Sequence, residues 1–429
     1  MKKDTSNAFD WKGWKSGQLP ELAPHSAAKL KVLQDYVEEY ITILCARSFG
    51  VEKFRITLID GFSGGGAYKD GKQGSPFALL RAVETAEAKL NLGGRTKRIE
   101  IDCECHFIDE SKTAIECLHH EFEHSVYKSR VGKSVFLHKG TFESKCPDIV
   151  ARLKKRHPRD GGRAIFFLDQ CGYAQVNPTL LRKISREIKH AEYIINFAIE
   201  WLSDFIGDSK EFRSRFETLG LQSQTSVEEL IRAKEQGGVH WKYLVESQIG
   251  PAFRKVAGSP FFSPFYIEPV TGHRGYWLLH LAPHERARSA MLDVYWKNAN
   301  SHRHFGHAGL NMLAYKADAD QTGYLDGMTF DEITRQTVKT KLGQDFARVI
   351  RDSHADGINF EHFAKSYSNQ TMANNALMAE VLAELESEGE LIVTGPKGSA
   401  KRSSNIQNED IILPCNQLQF LLSSKSKKK

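Results

Sequence analysis

The chain has 429 residues, 41% hydrophobic and 26% charged, enough for two or three domains with separate cores. No apolar run reaches the ~20 residues of a membrane-spanning helix, and the first residues lead into polar sequence, so a cytoplasmic protein with no membrane partner is expected. Of the formal charge of +6, five units fall between Pro396 and Lys429, where seven basic residues face two acidic ones. Such a terminus suits a polyanion such as nucleic acid, or serves only to solubilise. The seven cysteines are odd in number and lack CxxC spacing, which excludes a zinc knuckle or disulfide framework and leaves buried thiols.

In chain order, residues 1–50 form an N-terminal segment whose periodic apolar positions (Leu30, Leu33, Val37, Ile41, Leu44) predict a helix over 24–48. Short apolar runs at 54–60, 105–109, 135–138, 164–169 and 193–198 predict strands, and the stretches between them predict helices. That alternation implies a parallel sheet covered on both faces. After a helical insert at 208–257, runs at 264–269 and 276–282 are joined so closely that they must pair antiparallel. The whole 51–310 region therefore reads as a doubly wound, Rossmann-like α/β domain, its strand pattern matching the seven-stranded methyltransferase type. Residues 325–420 predict helices at 329–352, 360–367 and 371–388 and a final hairpin, a winged-helix-like domain, with a basic tail at 421–429.

The strongest motif is Asp60-Gly61-Phe62-Ser63-Gly64-Gly65-Gly66, where a buried strand ends in an acidic residue and a glycine cluster. Small residues there let backbone approach a ligand and offer N–H groups at the next helix start, as nucleotide-derived cofactors require; a loop with no ligand is the alternative. Asp109, ending the next strand, is placed to accept from both ribose hydroxyls. Asp169, in Leu168-Asp169-Gln170-Cys171-Gly172-Tyr173, ends the fourth strand over the expected methyl group, where a carboxylate can orient an amine and Tyr173 can stack on a base. In the C-terminal domain, Asn374 and Asn375 suit base edges or phosphate, while Lys397, Lys401 and Arg402 suit phosphate. A winged helix that docks on protein is equally compatible with that domain. His120 and His124 lie one helical turn apart but on a polar face, and His302, His304 and His307 lack a nearby cysteine or carboxylate, so no metal is assigned.

Asp60 to Tyr68, then Asp70-Gly71, Gly74-Ser75-Pro76, Phe107-Ile108-Asp109, Leu168-Asp169 with Gly172, and Trp277-Leu278 to Trp296 resemble the three-Cys-motif partner protein family (TcmP) over about residues 24–310. The resemblance implies a fold similar to S-adenosylmethionine (SAM) methyltransferases and a three-cysteine partner similar to radical-SAM enzymes. The family's Asp-Pro-Phe-Gly reads Asp169-Gln170-Cys171-Gly172 here, and its acidic residue after the third strand reads Thr141, toward the cofactor's adenine. Two expectations follow. One is a SAM-dependent methyltransferase acting on nucleic acid, with Asp60, Gly61, Phe62, Gly64 and Gly66 at the methionine end. The other is a non-catalytic Rossmann-type partner that positions a second enzyme's chemistry; a DNA-binding regulator would need the winged helix alone.

Overall fold

The structure is a computed structural model, and it describes residues 9–46, 51–93, 95, 97–170, 176–236, 241–267, 276–298, 303–313, 324–400 and 405–415. A long helix α1 (Pro24–Ala46) precedes β1 (Lys53–Asp60), α2 (Ser75–Leu92), β2 (Glu100–Asp109), α3 (Lys112–Glu123), β3 (Val135–Lys139), α4 (Phe142–Arg156), β4 (Arg163–Leu168), α5 (Pro178–Glu187) and β5 (His190–Phe197). The insert follows as α6 (Ile199–Asp204), α7 (Lys210–Thr218), α8 (Val227–Gln236) and α9 (Trp241–Ala257). Then come β6 (Phe261–Ser263), β7 (Tyr266–Ile267), β8 (Tyr276–Ala282), α10 (Glu285–Lys297), β9 (Arg303–His307) and β10 (Tyr324–Thr329).

Ten strands form one sheet ordered β10-β9-β7-β8-β5-β4-β1-β2-β3, with β6 also on β8. Strands β1 to β5 are mutually parallel, while β8 runs antiparallel to β5 and to β7. This mixed, mostly parallel sheet is compatible with a Rossmann-like fold. Alternation along the strands divides the core: Ile56 and Leu58 face α1, α2 and α10, whereas Ile59, Phe166 and Ile195 face α4, α5 and the inserted helices.

β2 begins five residues before the predicted 105–109 run, because Glu100, Asp102 and Glu104 interrupt its apolar signal. Their charges are met across the surface by Lys53, Arg156 and Arg152. The histidine-bearing stretch at 303–307, for which no element was predicted, is a strand that pairs with β10, so this sheet continues to Thr329.

The C-terminal unit comprises α11 (Glu332–Ser353), β11 (Ile358–Asn359), α12 (Phe360–Tyr367), α13 (Asn375–Ser387), β12 (Leu391–Thr394) and β13 (Ile411–Pro414), with a three-stranded sheet ordered β11-β13-β12. Its core is continuous with the first one: Phe330 packs on Phe265 and Trp296, and Phe346 and Phe363 extend the same cluster. Arg288 of α10 is fully buried at this junction and donates to the carbonyls of Phe262, Ala373 and Thr371. Burial pushes its guanidinium down to about 9.

Candidate functional site

The glycine turn is shaped by close approaches. Gly64 and Gly66 have φ of 59° and 71°, which side chains rarely tolerate, and a Cβ at Gly66 would come within 2.5 Å of Leu118. Gly74 approaches the same turn backbone to backbone, its N–H donating to the Gly66 carbonyl at 2.9 Å. Ser75, at the start of α2, donates its hydroxyl to Asp60 at 2.6 Å, and the Phe62 N–H donates to the other Asp60 oxygen at 3.1 Å. Asp60 is fully buried, and burial pushes its carboxyl up to about 7 against those two hydrogen bonds. The carboxylate that opens the motif therefore holds the turn to α2 from within.

Asp109 accepts from the Gly64 N–H at 2.9 Å and from the Ser111 N–H at 2.8 Å. Burial raises its carboxyl above the usual range, while these two donors oppose the shift. The end of β2 is thus clasped directly to the glycine turn. Each carboxylate oxygen keeps a further lone pair for a hydroxyl. Thr141 accepts from the Ser144 N–H at 3.1 Å and so caps α4 beside the end of β3.

Asp169 does not cap a helix; that role for α5 belongs to Asn177, which accepts from Thr179. Asp169 instead accepts from the Lys29 ammonium at 2.6 and 2.5 Å and from Asn196 at 2.8 Å. Burial works against the Lys29 charge, but Asp169 beside it and the nearby Tyr276 and Tyr68 carry the ammonium above its ordinary range. Sequence reasoning missed Lys29. Its signal was a lysine on the buried stripe of α1, with Val32, Leu33 and Tyr36 following at helical spacing.

A small cavity of about 80 Å³ opens here, lined by Lys29, Phe62, Ser63, Gly64, Gly66, Tyr68, Ser75 and Asp169, with Trp11 over it. Pockets for cofactor-sized ligands span roughly 300–1,000 Å³. The N-terminal 3₁₀ turn Trp11–Ser16 covers the glycine turn, its Trp11 indole lying on Gly64 and Gly65. The segment is fastened by Lys69 to Glu21 at 2.7 Å, by the Lys69 N–H to the Pro20 carbonyl, and by Trp14 against His120.

Of the remaining predicted residues, Tyr173, Lys401 and Arg402 lie outside the described residues, and Lys397 is exposed. Asn374 and Asn375, expected as nucleic-acid contacts, pack on α10. Asn374 caps α13 through the Leu377 N–H and donates to Asp293, while Asn375 donates to Glu285; both amides are engaged by α10. Both are held against the first domain because the opening turn of α13 sits on the Arg288 junction. No group of three or more metal-ligating side chains occurs among the described residues, and no described helix is long and apolar enough to cross a membrane.

Known proteins resemble the chain only distantly. No family model and no curated protein matches it, so the TcmP resemblance has no family match behind it. Among solved structures, it is similar to protein LPL1258 of Legionella pneumophila, described under the family model DUF519, at 12% identity and a TM-score of 0.31, over 60% of this chain and 88% of that one. It is also similar to Trm1 of Pyrococcus horikoshii in complex with SAM, at 10% identity and a TM-score of 0.27, over 90% of each chain. Likeness at this level carries no argument about function.

Proposed function

We propose that the protein is a SAM-dependent methyltransferase acting on nucleic acid. The observation that carries this reading is the convergence of three strand ends: Asp60, Asp109 and Asp169 flank one glycine turn at the carboxyl edge of adjacent parallel strands. In open α/β sheets ligands bind at that edge, where strand order reverses. The order β3-β2-β1-β4-β5-β8-β7, with β8 antiparallel, supports the seven-stranded methyltransferase type.

In this reading the backbone of Phe62 to Gly66 holds the methionine end, Asp109 the ribose, and Thr141 stands toward the adenine. Bound there, SAM supplies an electrophilic methyl group. Asp169 and Tyr173 receive the acceptor, and Lys29 sets the charge and direction of the Asp169 carboxylate. The three helices and three-stranded sheet of the C-terminal unit support a winged-helix-like reading, in which exposed Lys397, with Lys401 and Arg402, meets phosphate. A three-cysteine partner protein belongs to the same proposal, on the strength of the TcmP resemblance.

One observation favours the rival, a non-catalytic scaffold: Asp169 is already neutralised by Lys29, so less of its charge is free for an acceptor amine. Labelled SAM offered with DNA, RNA or protein, with and without the three-cysteine partner, separates the two. Transfer by the wild type and none by Asp169→Ala supports the enzyme; no transfer to any acceptor leaves the scaffold.

A further inference from the structure

The larger cavity lies at the opposite edge of the sheet. The N-terminal ends of the neighbouring strands β1, β4 and β5 enclose a cleft of about 430 Å³ lined by Lys53, Arg55, His157, Asp160, Arg163 and His190. β1 runs from Lys53 to Asp60, so at 3.2–3.4 Å per residue the cleft is roughly 20–25 Å from the glycine turn. Nothing in the proposed methyl transfer uses it.

Its lining carries three cations against the single carboxylate of Asp160. Lys53 and Arg55 are shared with Glu100 and Asp102 on β2. No ion pair of Arg163 with a carboxylate occurs among the described residues; its side chain reaches the Tyr40 hydroxyl of α1. Arg163 and His190 are register partners on β4 and β5, which places the guanidinium and the imidazole side by side at the mouth. His284, just before α10, stands 3.4 Å from His190, ring nitrogen to ring nitrogen. Burial first, and then the neighbouring Arg55, Arg156 and Arg163, lower the His157 and His190 imidazoles. Asp160 opposes the lowering at both rings, joined by Asp102 at His157 and by Glu192 at His190.

A concave site with surplus guanidinium charge and neutral imidazole donors recognises a compact, multiply charged oxyanion, since the planar guanidinium fork matches two phosphate oxygens at once. We infer that this cleft is a second binding site, for the phosphoryl group of a ligand. The group comes either from a small molecule such as a polyphosphate or from a nucleic-acid backbone, and the chemistry is shared. This site stands apart from the SAM reading, so either can fail without the other.

The test uses the full-length protein, with inorganic pyrophosphate titrated calorimetrically and a labelled single-stranded oligonucleotide followed by anisotropy. Arg163→Gln removes the unpaired charge, and Arg55→Gln serves as an exposed second variant should the first fail to fold. Pyrophosphate binding that weakens at least tenfold in Arg163→Gln supports the site. If the oligonucleotide is displaced by pyrophosphate and loses affinity in the same variants, the phosphoryl group is that of the backbone; if it is unaffected, the ligand is a small molecule. Unchanged affinity for both probes in both variants overturns the inference.

Discussion

The Lys29 ammonium lies 2.6 Å from one Asp169 oxygen and 2.5 Å from the other, joining the first long helix to the end of the fourth strand across 140 residues of sequence. The lysine side chain is 7% exposed and the aspartate 28%, so water screens the pair little. Removing one partner strands the other, which for buried pairs costs roughly 3–5 kcal/mol. With the remaining exposure of Asp169, Lys29→Ala should destabilise the protein by roughly 2–4 kcal/mol in urea unfolding. Lys29→Met combined with Asp169→Asn should recover part of that loss; a double variant as unstable as the sum of the singles would show the two groups act independently.

Asp169→Ala strands Lys29 and so costs stability as well; in protein shown to be folded it also addresses chemistry. A carboxylate beside the acceptor acts on charge developing in the transition state, so its loss should abolish methyl transfer while leaving SAM affinity nearly intact. Equal losses of turnover and SAM affinity would move Asp169 into the cofactor site.

Trp11 covers the glycine turn proposed to hold the cofactor. SAM should therefore change the protein's tryptophan fluorescence, and Trp11→Phe should remove most of that change although five other tryptophans remain. An identical signal in the variant would leave the N-terminal turn in place during binding.

Asp60 makes stability depend on pH. Its folded-state carboxyl stands at about 7 against an ordinary 3.8, so the folded form holds its proton more tightly than the unfolded chain. The stability from this proton is fully present below about pH 4 and is lost as pH rises toward 7. At roughly 1.4 kcal/mol per unit, the loss is of order 4 kcal/mol. Asp60→Asn, which cannot ionise, should gain on the wild type across that window in denaturant midpoints taken from pH 4 to 8. A constant difference between the two proteins would contradict this.

Arg288 ties the C-terminal unit to β6 and α10 through three carbonyls. Arg288→Met should leave those acceptors unmatched, costing about 1–3 kcal/mol for each that water cannot reach. Hydrogen exchange in α13 should rise while β1 and β4 stay protected; uniform exchange over both units would mean that the junction does not divide the molecule.

The strand-helix alternation, the antiparallel pairing of Tyr266–Ile267 with β8 and the glycine turn were legible from residue pattern, because buried strands and glycine clusters leave local signals. The start of β2 was hidden by charges that are satisfied only in three dimensions, by Lys53, Arg152 and Arg156. Trp11 and Asn196 left no local signal as site residues, and Lys29 left only its place on the buried stripe of α1, since each reaches the glycine turn or Asp169 from another part of the chain. The packing of Asn374 and Asn375 on α10 was hidden for a related reason: polar residues at a helix start suit a cap and a contact between elements as well as a nucleic-acid base.

Calorimetric titration of SAM and S-adenosylhomocysteine, with NAD as the control, directly tests the proposed cofactor site between the glycine turn and Asp109. Both sulfur nucleosides should bind the wild type and NAD should not. Asp109→Ala, which loses the ribose contact and the clasp on Gly64, should bind roughly 1–3 kcal/mol more weakly. Heat from neither nucleoside, or equal affinity in the Asp109→Ala protein, would contradict the site described.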